Sequence, residues 1–183
     1  KGDGQIDDTE AIQNAIDAAV SGDTVQVADG TYSGDGNVNL DTQGKAITVQ
    51  SENGSDNCVI SGSGTDRIFY IRQGEADTTV IDGFKFQNGY SDDYGGAIYC
   101  DTTSPTIRNC VFQQCEARFG GALALSDSKA EIELCQFNQN ESHEKGGAMY
   151  VTGYDPGTYD GFRMDDCSFT ECRSLKGGAL YTN

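Results

Sequence analysis

Four near-copies of one short phrase constrain this chain more than anything else in it. They are Gly95-Gly96-Ala97-Ile98-Tyr99, Gly120-Gly121-Ala122-Leu123-Ala124, Gly146-Gly147-Ala148-Met149-Tyr150 and Gly177-Gly178-Ala179-Leu180-Tyr181, and they begin 25, 26 and 31 residues apart. A second phrase keeps the same phase: Phe86-Gln87-Asn88, Phe112-Gln113-Gln114, Phe137-Asn138-Gln139 and Phe169-Thr170-Glu171. Two markers locked at one period describe a stack of like units, each covering the apolar edge of its neighbour.

Between the markers the apolar runs are short and bounded by Gly, Asp, Asn and Ser. Val38–Leu40, Ala46–Val49, Cys58–Ile60, Ile68–Ile71, Val80–Phe86, Thr106–Phe112, Ile132–Phe137 and Phe162–Phe169 are among them. Two or three such strands per period predict an all-β fold, a parallel β-helix or β-solenoid of about 5–6 coils. Only the start reads differently. Asp8-Thr9 offers a helix N-cap, and Ala11, Ile12, Ala15, Ile16 and Ala19 follow at helical spacing before Gly22-Asp23. A short α-helix there caps the first coil, which otherwise exposes its apolar edge. The expected organisation is one domain over 1–183, with the cap in 1–22 and coils from 23 onward. The last phrase, Gly177–Asn183, carries no capping element, so the expectation is a portion of a longer solenoid or an end that another copy covers.

Aligning the units on Phe86, Phe112, Phe137 and Phe169 produces columns. Two residues earlier stand Phe84, Cys110, Cys135 and Cys167, with Cys58 one coil above. Alternation along a strand places this column inside with the phenylalanines. Four residues before each Phe, and outward, lie Asp82, Arg108, Glu133 and Asp165, which reads as a charge ladder. The seven cysteines admit pairing within a coil, pairing between adjacent coils, or a role as small core hydrophobes, the reading favoured here.

The net charge of −17 argues against nucleic acid, which needs a basic footprint, and favours cations such as Ca2+. No run is long and apolar enough for a membrane span. The acidic loops hold the metal candidates: Asp92 and Asp93 in one, Asp155 and Asp160 in the other. No cofactor is required by any motif. Asn53-Gly54-Ser55 and Asn140-Glu141-Ser142 have the form of glycosylation sequons, with Asn140 expected to face inward.

Gly2-Asp3-Gly4 followed by Asp7-Asp8-Thr9, Ala11-Ile12 and Ala15-Ile16 resembles the capping segment of pectate-lyase-like, right-handed parallel β-helix proteins. The GGA and Phe phrases are similar to the repeat of the polymorphic outer-membrane-protein type, where Asn usually follows the Phe; Asn140 keeps it and Cys115 and Cys172 replace it. The resemblance implies a right-handed winding, an extracellular or cell-surface location, and either a structural and adhesive role or polysaccharide cleavage. Enzymes of that fold use Asp clusters, or an Arg or Lys base beside a cation. The Asp pairs here lack the companion phrases of the hydrolases, which leaves Lys85 and Arg108 as the catalytic candidates. His143, the single histidine, reads as part of a polar turn. A third reading is carbohydrate binding by an outward column of Tyr70, Tyr99, Tyr150 and Tyr181, interrupted at Ala124. Three functions therefore stand open: a structural or adhesive module, possible to stack end to end into a fibre; a polysaccharide lyase or hydrolase; and a sugar-binding module.

Overall fold

A computed structural model describes residues 11–75, 78–153 and 161–183. The chain winds as a parallel β-solenoid of about 5 turns, and the turns that start at Val80, Thr106 and Glu131 visit four sheets in the same order. The first sheet stacks Thr24–Val27, Thr48–Ser51, Val80–Asp82, Thr106–Arg108, Glu131–Glu133 and Arg163–Asp165. The second stacks Gly30–Ser33, Cys58–Ser61, Lys85–Gln87, Val111–Gln113, Gln136–Asn138 and Ser168–Thr170. The third is shorter, with Tyr90–Tyr94, Glu116–Phe119 and Glu141–Lys145. The fourth holds Phe69–Ile71, Ile98–Asp101, Leu123–Ser126, Met149–Thr152 and Leu180–Thr182.

The register is the one the columns predict. Phe86, Phe112, Phe137 and Phe169 are direct partners down the second sheet. Their rings stack at 5.3, 4.7 and 4.9 Å between centroids. Asp82, Arg108, Glu133 and Asp165 align down the first sheet. Phe84, Cys110 and Cys135 are fully buried beside the rings. Parallel strands sit about 4.8 Å apart, so an in-register stack places like on like and a planar ring meets its copy face to face.

Two expectations change. The runs Val80–Phe86, Thr106–Phe112, Ile132–Phe137 and Phe162–Phe169 read as continuous strands, yet each bends from the first sheet to the second. The bend is one left-handed residue: Gly83, Asn109, Leu134 and Asp166, with φ of 77°, 53°, 52° and 47°. Two consecutive outward residues mark such corners, Arg108-Asn109 and Glu133-Leu134, after which the inward positions resume at Cys110 and Cys135. Leu134 has neither the freedom of glycine nor the local hydrogen bonding of Asn, and its side chain is 55% exposed. The second change concerns the stretch before Gly146, read as a polar turn. It is the strand Glu141–Lys145, and His143 lies on it.

The GGA phrase has a geometric cause. Its first glycine takes a left-handed conformation at Gly95, Gly120 and Gly146 (φ 56°, 64° and 66°). Its second has no room for a side chain, since a Cβ on Gly121 would lie 2.3 Å from the carbonyl oxygens of both Glu141 and Gly147. The helix Ala11–Ala18 closes the other end of the core with Ile12 and Ile16, both buried. Lys45 Nζ holds its C-terminus by donating to the Ile16 and Asp17 carbonyls at 2.8 and 3.0 Å. The proposed cap residues Asp8 and Thr9 lie outside the described residues.

Candidate functional site

The catalytic candidates do not converge. Lys85 stands on the second sheet in register with Val111, whereas Arg108 stands on the first, beyond the corner at Asn109. Arg108 Nε donates to Asp82 Oδ2 at 2.8 Å, and Asn109 Nδ2 donates to the other oxygen of that carboxylate at 2.8 Å. A guanidinium held this way is a rung of the charge ladder. Arg108→Gln is accordingly expected to change unfolding free energy by about 1 kcal/mol or less, the usual range for a half-exposed pair. Urea denaturation measures it, and a loss several times larger would contradict the assignment.

Of the metal candidates, Asp92 and Asp93 are exposed on the strand Tyr90–Tyr94, and Asp92 accepts a 2.6 Å hydrogen bond from the Tyr90 hydroxyl. Asp155 and Asp160 lie outside the described residues. Among the described residues no group of three His, Cys, Asp or Glu side chains gathers at one point. His143 Nε2 faces Glu116 Oε1 at 2.7 Å across the third sheet, both side chains being exposed.

All seven cysteines are unpaired. The thiols of Cys110, Cys115, Cys135, Cys167 and Cys172 donate to backbone carbonyls two residues back, Cys110 to Arg108 at 3.1 Å and Cys135 to Glu133 at 3.2 Å. Burial pushes the Cys115 thiol up to about 12, and burial together with Asp29 does the same for Cys58. Such thiols stay protonated and are poor nucleophiles. Asn140 does face inward: it is fully buried, accepts from the Cys115 N–H at 2.9 Å and donates to the Phe112 carbonyl at 3.0 Å. Its amide nitrogen is thus committed to the core.

The tyrosine column is the most organised surface feature, and its geometry is specific. Tyr70 and Tyr99 stack at 5.2 Å and 16°, and Tyr150 and Tyr181 at 5.7 Å and 14°. The gap at Ala124 is filled from the third sheet. Tyr94 stacks 5.2 Å from Tyr99 and lies 6.0 Å from Tyr150, while Phe119 packs on both Tyr94 and Tyr150 at 5.3 and 5.2 Å. The rings therefore form one continuous pile along the solenoid axis. Cations close it at both ends, Arg72 over Tyr70 at 4.3 Å and Lys145 over Tyr181 at 4.5 Å.

Arg67 staples the pile to the third sheet. Its Nη2 donates to Ser91 Oγ and the Tyr94 carbonyl, both at 2.7 Å, its Nε donates to the Gly95 carbonyl at 3.0 Å, and its guanidinium lies 5.0 Å from the Tyr70 ring centre. Burial pulls its pKa below the usual arginine value. Burial and Asp101 raise the Tyr99 phenol to about 12. The flat faces of Tyr70, Tyr99 and Tyr150 are taken up by neighbouring rings and by the cations, and Tyr150, expected to project outward, is buried. Stacking a sugar on them needs an open face.

Sequence reasoning missed Tyr94, Phe119 and Arg67. A signal for the first two was present: the residue before each GGA runs Tyr94, Phe119, Lys145, Lys176, and these are register partners. Arg67 left no trace in the repeat. Against known proteins, no family model, no curated protein and no solved structure matches this chain.

Proposed function

We propose that this protein is a structural and adhesive module at the cell surface, a solenoid that stacks end to end with other copies of itself. The reading incorporates the resemblance of the N-terminal segment to pectate-lyase-like caps and of the GGA and Phe phrases to polymorphic outer-membrane-protein repeats. What carries it is the layer formed by Arg163–Asp165, Ser168–Thr170 and Leu180–Thr182. Phe169 stacks on Phe137 with one face and is only half-buried, as are Cys172 and Leu180, while Met164 and Leu175 are 39% and 81% exposed. A strand edge of that kind is a template for a further layer. A coil from another copy extends all the ladders at once.

Association through that layer is the measurable consequence. Sedimentation of the 183-residue chain is expected to show self-association that rises with concentration. Phe169→Lys, which places a charge in the layer, is expected to weaken it strongly, as is Leu180→Pro, which removes a ladder N–H. A parent chain that stays monomeric at high concentration with its last coil ordered overturns the reading.

A further inference from the structure

Two residues on from Lys85, the second sheet carries a row of uncharged polar side chains on its outward face. Gln87, Gln113, Asn138 and Thr170 form one outward row in register down the axis, continued by the buried Ser61. Beside them the corner residues Asn88, Gln114 and Gln139 hold left-handed conformations, with φ of 50°, 54° and 56°. Their backbone N–H groups are bonded to the next coil, Asn88 to the Gln113 carbonyl and Gln114 to the Asn138 carbonyl, both at 3.1 Å. The side-chain amides of Gln87, Asn88, Gln113, Gln114 and Asn138 make no hydrogen bond among the described residues. The result is a double row of unused carboxamides repeating at about 4.8 Å.

Two adjoining clefts deepen this corner. One, of about 440 Å³, is lined by Ser61, Ser63, Asn88, Tyr90, Gln114 and Glu116. The second, of about 210 Å³, shares Gln114 and continues past Gln139 to Arg173. Two of the carboxylates at the rim are engaged, Glu116 with His143 at 2.7 Å and Glu171 with Gln139 Nε2 at 2.9 Å. The amide rows themselves are uncharged in a chain of net charge −17. Tyr90, unlike the piled tyrosines, stacks on no other ring among the described residues.

We propose that this face binds a neutral polysaccharide whose chain runs along the solenoid axis over Gln87, Gln113 and Asn138 and against the corner amides of Asn88 and Gln114. A carboxamide carries both a donor and an acceptor, which matches a hydroxyl in either sense. A row of them offers repeated contacts to a polymer of repeated hydroxyls. An acidic polymer meets the repulsion of the whole chain, and a protein partner finds little apolar surface there to bury. Gln87, Asn88, Gln113, Gln114 and Asn138 all precede the terminal layer that mediates end-on association.

Affinity electrophoresis in native gels tests it, with mixed-linkage β-glucan, glucomannan or galactan as neutral probes and polygalacturonate as the acidic one. Retardation is expected with at least one neutral polymer and not with polygalacturonate. The double variant Gln113→Ala/Gln114→Ala should bind about tenfold more weakly while melting as the parent does. Gln113→Glu, which cannot donate, should also weaken binding. Phe169→Lys should bind as the parent does, which separates this proposal from end-on association. Retardation by polygalacturonate alone, by none of the polymers, or undiminished in both glutamine variants overturns it. So does loss on Tyr181→Ala with the glutamine variants unaffected, which would move the site to the aromatic pile.

Discussion

Phe112→Ala is expected to cost about 3–5 kcal/mol of stability, the range for deleting a buried aromatic ring. Phe112 is fully buried, with Phe86 5.3 Å on one side and Phe137 4.7 Å on the other, the second pair tilted by only 3°. Truncation therefore removes two ring contacts as well as one residue's apolar surface. The in-register backbone cannot collapse to fill the gap, because each strand is hydrogen-bonded to the coils above and below. Chemical denaturation monitored by circular dichroism reads the loss. A variant whose midpoint matches the parent's would mean that the ring column is not the core.

Gly121→Ala is expected to cost nearly as much for one added methyl group, on the order of 3 kcal/mol. The added Cβ meets two carbonyl oxygens of the next coil at 2.3 Å, and both belong to backbone. Relief requires the coils to separate just where the Ala122 and Gly121 N–H groups bond to Ala148 and Gly146 at 3.0 and 3.2 Å. By contrast, substitution at Gly22 or Gly64 meets no atom within 4 Å, so the cost there is confined to backbone conformation. Comparing Gly121→Ala with Gly64→Ala in the same denaturation assay separates crowding from strain. Equal losses would refute the crowding account.

Much of the architecture was legible because a solenoid repeats its local rules. A phenylalanine recurring at one phase has to meet its own copy, and the cysteine and charge columns follow from the same register. The glycine pair was visible as a phrase, although its two distinct reasons, a left-handed turn and a crowded contact, belong to the folded chain. The corners at Asn109 and Leu134 were hidden because the apolar run resumes directly after one left-handed residue, so a one-position shift in the alternation reads as a single strand. The strand holding His143 was hidden for a related reason. Its outward positions are polar or charged, as are those of a turn, and only the buried Ser142 faces the core.

The candidate surfaces divide in the same way. That Tyr70, Tyr99, Tyr150 and Tyr181 form a column was written in the repeat, since positions in one phase share a face. That Tyr94 and Phe119 close the gap at Ala124, and that Arg67 joins two sheets beneath the rings, was decided only by the turn between the third and fourth sheets. The amide face follows the same logic, its rows set by phase and its clefts by how far the corners project. The amino-acid sequence by itself determined the period, the stacking of like on like and the composition of each face, because these depend on spacing along one strand. The tertiary structure alone decided which faces meet, which rings keep a free side and where a groove opens, because these depend on angles between sheets that no spacing encodes.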